Sequence, residues 1–370
     1  MKYIDYEIKP TDLLLYELVR SGLAISHIDP NHFTAVTKDM WEEILLQAIR
    51  QSVIGVAFEG VLALPKELQP ERLILLKWHS MTEQVKQNHF RMEQTLVQIK
   101  RWYAQKNISW ALIKGLGLST YYPKPELRQT GDIDTYIAEG YAAIQEITKE
   151  MKGGYENHKH ACFIYNKFWI EKHTSFSEIR TSSLRKIADR YLLKQIEKQE
   201  ELTILGEKIT VASADFNALH MLLHAANHFL VIGLGLRHLC DWALFLKTQK
   251  GNYDSVSLKN ILHEIGLDYF ASAFTWAAIK YLSLPKEYMP FPMEETGNEQ
   301  VLMKILMEGG NFGHYSNTQR KSSQNKLISN IYGGLFLLKR EKDISIFWPK
   351  EMKHYSFKLL MTFISRIIHR

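Results

Sequence analysis

Two aspartates, Asp132 and Asp134, stand two residues apart in Gly131-Asp132-Ile133-Asp134-Thr135-Tyr136-Ile137. The interleaved Ile, Thr and Tyr favour a strand, and in a strand residues i and i+2 point to the same face. Two carboxylates held side by side resist joint ionisation without a counter-charge. A hard divalent cation such as Mg²⁺ supplies one, because aspartate oxygens suit it. An exposed Asp-x-Asp at a strand end needs no such explanation, so the surroundings decide. Upstream, the apolar run Ala111-Leu112-Ile113 closes at Lys114-Gly115, with Gly117 next but one. Glycines let a backbone approach a ligand closely. A helix starting just after them offers unpaired N–H groups to a phosphate. Lys114 and Arg128 bring two cations to the same unit, and Arg grips phosphate in bidentate fashion. Either can instead pair with an acid to hold the fold. A glycine turn, two bases and two acids in one short stretch describe a phosphate-handling metal site.

Two rival phosphate motifs fail on the residues. A Walker loop needs G-x-x-x-x-G-K-[ST], whereas Lys114 precedes its glycine. A dinucleotide fingerprint needs G-x-G-x-x-G, but Gly115-Leu116-Gly117-Leu118-Ser119 is followed by Thr120. Hydride chemistry on such a unit is therefore disfavoured.

The combination Lys114-Gly115, Tyr122-Pro123, Arg128 and Gly131-Asp132-Ile133-Asp134 resembles the uncharacterised bacterial nucleotidyltransferases of the DNA polymerase beta superfamily. A histidine-rich helix followed by Gly-Leu-Arg-x-x-x-Asp-Trp (235–242) extends the resemblance over residues 90–250. The resemblance implies an α+β fold: a small mixed nucleotidyltransferase-like sheet with helices, flanked by N- and C-terminal helical regions. It also implies a third carboxylate, Glu171, and a metal site of Asp132, Asp134 and Glu171 holding Mg²⁺ or Mn²⁺. Lys114, Gly115, Gly117 and Arg128 are then expected to bind the NTP (ATP or another), together with His173, two residues after Glu171 on the same face. The implied reaction moves an NMP from an NTP to an acceptor hydroxyl. The acceptor is open between a small molecule, a sugar and a protein, and a non-catalytic nucleotide-binding or interaction protein on the same fold is the alternative. The chain departs from the superfamily at the turn. Gly115-Leu116-Gly117 stands where Gly-Ser or Gly-Gly is usual, and Ser119 is displaced.

The elements that must position these groups follow from hydrophobic spacing. Residues 1–107 read as helical, with Pro65 and Pro70 breaking the run before a long helix near Leu73–Lys106. Residues 108–213 alternate strands and helices and form the expected catalytic core. Within them, Asn166-Lys167 separates two aromatic, β-branched runs as a hairpin. Leu202–Val211 suggests a second hairpin turning at Gly206-Glu207, and Tyr141–Lys152 a helix ending at Gly153-Gly154. Residues 214–370 are helical again. In that region Arg237 and Asp241, at i and i+4, are expected to pair along one helix.

His220, His224 and His228 recur every fourth residue and share one helix face. That spacing permits zinc, but position 221 is Met where a zincin has Glu, and no cysteine is near to complete a tetrahedral set. A stripe lining the nucleotide cleft is the favoured reading, ahead of zinc, with a plain polar stripe on a packed helix as the third.

The 370-residue chain is 46% hydrophobic and 23% charged with a formal net charge of +6, enough to bury a large core and mildly suited to anionic substrates. No compact Lys/Arg block indicates nucleic acid. Two cysteines, Cys162 and Cys240, exclude a disulfide scaffold or a cysteine-built zinc site and fit a cytoplasmic protein. The first residues lack a signal-peptide core, and no apolar run reaches the roughly 18–20 residues that span a bilayer. The basic, amphipathic segment Lys353–Arg370 is expected to pack on its own domain rather than on a membrane.

Overall fold

Alternation along the strands dictates the architecture. The computed structural model describes residues 8–140, 155–156, 160–173, 176–231, 233–311 and 344–353. Helix α1 (Pro10–Gly22), α2 (Lys38–Arg50), α3 (Ile54–Leu62) and α4 (Arg72–Gln105) lead into β1 (Trp110–Ile113). A short helix α5 (Gly115–Ser119) and a loop connect β1 to β2 (Asp132–Ile137), followed by β3 (Tyr155–Glu156), β4 (His160–Tyr165) and β5 (Phe168–His173). Then come α6 (Ser182–Ile196), the hairpin β6 (Glu200–Ile204) and β7 (Glu207–Val211), and the helices α7 (Ala214–Val231), α8 (Leu236–Thr248), α9 (Ser255–Ile265), α10 (Asp268–Leu282) and α11 (Asn298–Gly309). The fold is α+β, with one mixed sheet ordered β3-β4-β5-β2-β1-β7-β6 between helical flanks.

β2 runs antiparallel to β1 and parallel to β5, and the register sets Asp134 against Glu171. Period-two alternation splits each strand between two faces. Ile133 and Ile137 of β2, Ile170 of β5 and Leu112 of β1 join one apolar cluster with Met92, Leu96, Ile99 and Tyr103 of α4. The spacing of those α4 residues, four, three and four, is one helical stripe. Tyr103 also reaches Thr135 at 3.3 Å between their hydroxyls. The opposite face carries Asp132, Asp134, Glu171 and His173, together with Ala111 and Ile113, which join the larger core.

That larger core draws on both ends of the chain. It unites α1–α3 and the start of α4 with α6–α11. Gln51, just past α2, ties the ends directly. Its amide donates to the carbonyls of Leu306 and Met307, and its oxygen accepts from the Leu236 N–H that opens α8. α1 and α3 meet at Gly60, where any Cβ would come within 2.2 Å of the Leu18 carbonyl.

Both hairpins turn on two residues with positive φ. Asn166 and Lys167 (50° and 71°) make the first, as the sequence leads one to expect. The second turns at Leu205-Gly206 (49° and 79°), one residue earlier than expected from Gly206-Glu207. The expected helix Tyr141–Lys152 and all but the first residue of the Lys353–Arg370 segment lie outside the described residues. Among the described residues, no helix is long and apolar enough to cross a membrane.

The i,i+4 pairing of Arg237 with Asp241 is corrected by the structure. Asp241 is taken by Arg128 from the loop before β2, with Nε to Oδ1 at 2.7 Å and Nη2 to Oδ2 at 2.8 Å. Tyr122 donates its hydroxyl to the same carboxylate at 2.6 Å, and Arg128 Nη1 donates to Thr130 at 2.7 Å. Both charged residues are buried. Deleting one partner leaves the other charge buried alone. Arg128→Ala is therefore expected to lower stability by about 3–5 kcal/mol. Arg128→Lys should recover only part of it, because an ammonium cannot fork across two carboxylate oxygens. Chemical-unfolding midpoints of the two variants check this.

Candidate active site

The site begins where β1 ends. Lys114 adopts φ 55° and Gly115 φ 37° as the chain swings from strand into α5. Only glycine fits at 115, where a Cβ would meet Thr130 at 3.2 Å and the Asp132 carbonyl at 3.3 Å. The turn is thus pressed against the first acid of β2. Gly117 is different. A Cβ there would make only ordinary contacts with Leu112, so packing does not require it.

The β2–β5 register gathers three of the expected residues at one point. Asp134, Glu171 and His173 each offer a ligand atom within 4.8 Å of the others. His173 Nε2 donates to Asp134 at 2.8 Å and lies 3.5 Å from Glu171. Lys114 Nζ donates to the same Asp134 oxygen at 3.3 Å. Asp132, two residues before Asp134 on the same face, flanks this group.

These contacts split the two aspartates. Burial raises Asp134, but Lys114 and the His173 hydrogen bond outweigh it and hold the carboxyl well below its usual range. Asp132 lacks such partners. Burial first, then the charge of Asp134, pushes it up to about 6, against Lys114 and Arg237. Glu171 is held low, chiefly by His173. Burial and Lys114 lower His173, but its bonds to Asp134 and Glu171 win and raise it. Burial likewise works against Lys114, and Asp134, Glu171 and Asp132 together raise it. Without added ions, the site is an ion cluster in which Asp132 is the carboxylate with the weakest internal balance.

Arg128 is placed otherwise than a phosphate ligand requires, since its guanidinium is committed to Asp241 and Thr130. Arg128 still acts on Asp132 by charge, and so does Arg237, at the start of α8. It donates Nη1 to the Gln129 carbonyl at 3.0 Å, while its Nε is buried without a hydrogen-bond partner. Sequence reasoning missed it because i,i+4 spacing supplied Asp241 as a ready partner. A cavity of about 220 Å³ adjoins the turn, lined by Lys114, Gly117, Tyr121 and Asn217 among others, and contains none of the three acids.

The histidine helix, α7, brings His220 near enough for Lys114, His173 and Asp134 to act on it by charge. His220 is buried, stacked on Phe216 with ring centroids 5.0 Å apart. Burial and the charges of Lys114 and His173 drive it well below its usual value. His224 and His228 continue the stripe, and α8 brings His238 against them.

The chain belongs to the family described as uncharacterised nucleotidyltransferases, whose profile matches residues 37–283. Among solved structures it is similar to an antigenic nucleotidyltransferase-like protein from Paracoccidioides brasiliensis, at 12% identity and a TM-score of 0.31, covering 55% of this chain and 94% of that one. A comparison with curated proteins finds no match.

The charge distribution has a measurable consequence. A carboxyl raised in the folded state contributes stability below its unfolded pKa, and that contribution is lost as pH rises through the folded value. For Asp132 the loss spans pH 4 to 6. In a chelator, Asp132→Asn is expected to raise stability by about 1–3 kcal/mol at pH 8. The gain should shrink toward pH 4. Thermal unfolding of both proteins across that range checks the sign; a gain independent of pH would rule out the Asp132 charge as its source.

Proposed function

We propose that this protein transfers an NMP from an NTP to an acceptor hydroxyl, with residues 108–213 as the catalytic unit and the two helical regions closing over its acid face. The observation that carries the reading is the alignment of Asp132 and Asp134 on β2 with Glu171 directly opposite on β5, beside a lysine-glycine turn. The donor set fits a hard cation. It offers three carboxylates, one of them raised by burial and by the charge of its neighbour Asp134. Asp132, Asp134 and Glu171 would hold Mg²⁺ or Mn²⁺, which neutralises triphosphate charge and acts as a Lewis acid when bound.

The chain's own groups do the rest. The N–H groups of Gly115 and Gly117 lie in the first turn of α5, where helical bonding leaves them unpaired and suited to β- and γ-phosphate oxygens. Gly117's dispensability for packing supports that use. Lys114 stands at the same turn, and the unpartnered Nε–H of Arg237 gives a second cationic donor in the place first expected of Arg128. In transfer, the acceptor oxygen bonds to the α-phosphorus as the bond to the β-phosphate oxygen breaks, releasing pyrophosphate. Glu171, held ionised, accepts the hydroxyl proton, and His173 steadies it by hydrogen bonding. His220 would line the acceptor side.

One observation favours the alternative of nucleotide binding without transfer: Lys114 and His173 already neutralise Asp134. Labelled NTPs with Mg²⁺ or Mn²⁺, offered to cell-extract fractions, separate the two. Transfer moves label onto a fraction with release of pyrophosphate, whereas binding alone does neither.

Two variants test the roles. Asp132→Asn is expected to weaken Mg²⁺-dependent NTP binding by at least the roughly 10- to 100-fold that supporting partners of a metal site contribute. Unchanged affinity by calorimetry would refute the assignment. Glu171→Gln should lower turnover by about 100-fold or more while NTP affinity changes by less than about threefold. An equal fall in both would make Glu171 an NTP-binding group instead.

A further inference from the structure

Outside the carboxylate cluster, the described residues hold one other group with metal-ligand spacing. His224 and His228 lie one turn apart on α7, and His238 reaches them from the first turn of α8. Each of the three offers a ring nitrogen within 4.8 Å of the others. The ring centroids are 4.3 Å apart for His224 and His228, 5.1 Å for His228 and His238, and 5.8 Å for His224 and His238. His238 is 6% exposed. Its Nδ1 is 3.3 Å from the Gly235 carbonyl, which assigns the proton to that nitrogen and leaves the lone pair on Nε2. Nε2 is buried and has no hydrogen-bond partner. A buried unpartnered nitrogen costs about 1–3 kcal/mol, which a bond to a metal would remove. His238 has the arrangement of a metal ligand, one ring nitrogen fixed by a backbone carbonyl and the other bare.

We propose that His224, His228 and His238 form a binding site for a divalent transition metal, Zn²⁺ foremost, with a fourth position open to water or an anion. Three neutral imidazoles are borderline donors that suit Zn²⁺ and not Mg²⁺. Tetrahedral nitrogens at zinc distance sit about 3.4 Å apart, so rotations closing the trio by about an ångström complete the set. The partly exposed His224 has room to make them. The neighbouring charges define the fourth ligand. Lys114 and Arg237 both act on this cluster, and their repulsion of a dication is relieved by an anionic ligand such as hydroxide or a phosphate oxygen. His220, which spacing alone would have made the third ligand, is stacked on Phe216 with Phe176 at its edge and lies outside the trio.

The test uses the full chain purified without a metal-affinity tag. Elemental analysis is expected to find about one zinc per chain, and chelator-stripped protein to take up Co²⁺ with the visible absorption of a tetrahedral nitrogen site. His224→Asn should weaken Co²⁺ binding by about 100-fold or more, and His238→Ala likewise. If His238→Ala does not fold, His224→Asn carries the test alone, because that side chain is only partly buried. Asp132→Asn and His220→Ala should both retain the metal. The proposal is overturned if neither zinc nor Co²⁺ is bound, if His224→Asn binds as tightly as the parent, or if Asp132→Asn loses the zinc. That last result would place the metal on the carboxylates and leave the nucleotidyl-transfer reading standing by itself.

Discussion

Placing Asp132 and Asp134 on one buried face of β2 creates a charge problem, and the surrounding structure is organised to contain it. Each acid meets desolvation and the repulsion of the other. For Asp132 the rise to about 6 represents on the order of 3 kcal/mol of unfavourable environment. Against a total stability of about 5–15 kcal/mol for an ordinary domain, that is a large local cost. The protein relieves one acid and leaves the other strained. Lys114 and His173 both point at the same oxygen of Asp134. Such an asymmetry does little for folding, and it suits the cation binding proposed for the site.

Holding that cluster requires the loop before β2 and the helix α8 to stay fixed. The Arg128–Asp241 fork does this from within the core, with Tyr122 supplying a further bond. Because Arg128 takes the Asp241 carboxylate, Arg237 on the same helix directs Nη1 to the Gln129 carbonyl, and its charge acts on both Asp241 and Asp132. Gln51 extends the restraint to both chain ends, since it holds the N-terminus of α8 and the last turn of α11 at once.

Much of this was legible in the residues, and the failures share a physical cause. The Asp-x-Asp strand, the lysine-glycine turn, the long helix before β1 and the Asn166-Lys167 hairpin all rest on local spacing, and the structure shows each. Glu171 came from family resemblance. Its position opposite Asp134 depends on a parallel pairing whose register is set by burial of Ile133 and Ile170, which no local pattern encodes. Gly206 drew the second turn one residue too late, because Leu205 adopts the positive φ that glycine or asparagine normally signals. Arg237 and Asp241 have ideal helix spacing, but a bidentate partner in the interior outcompetes an i,i+4 contact worth only about 0.5 kcal/mol. His238 carried no signal by itself. Only the docking of α8 on α7 brings it to His224 and His228.

Two candidate donor sets are present, oxygen from the sheet and nitrogen from the helices. They are connected electrostatically. Lys114 acts on Asp132 and Asp134 and also on His224 and His228, while Arg237 acts on both Asp132 and His238. Fixed cations that act on both candidate metal positions would oppose filling either one, unless an anion arrives with the metal. A polyphosphate resolves that opposition, since its oxygens answer Lys114 and the unpartnered Nε of Arg237 while its charge offsets the bound dications. On the proposed function, a metal at the carboxylates would enter together with its nucleotide, whereas hydroxide could serve the proposed histidine site by itself. Any such coupling arises from the two cations rather than from a moving part.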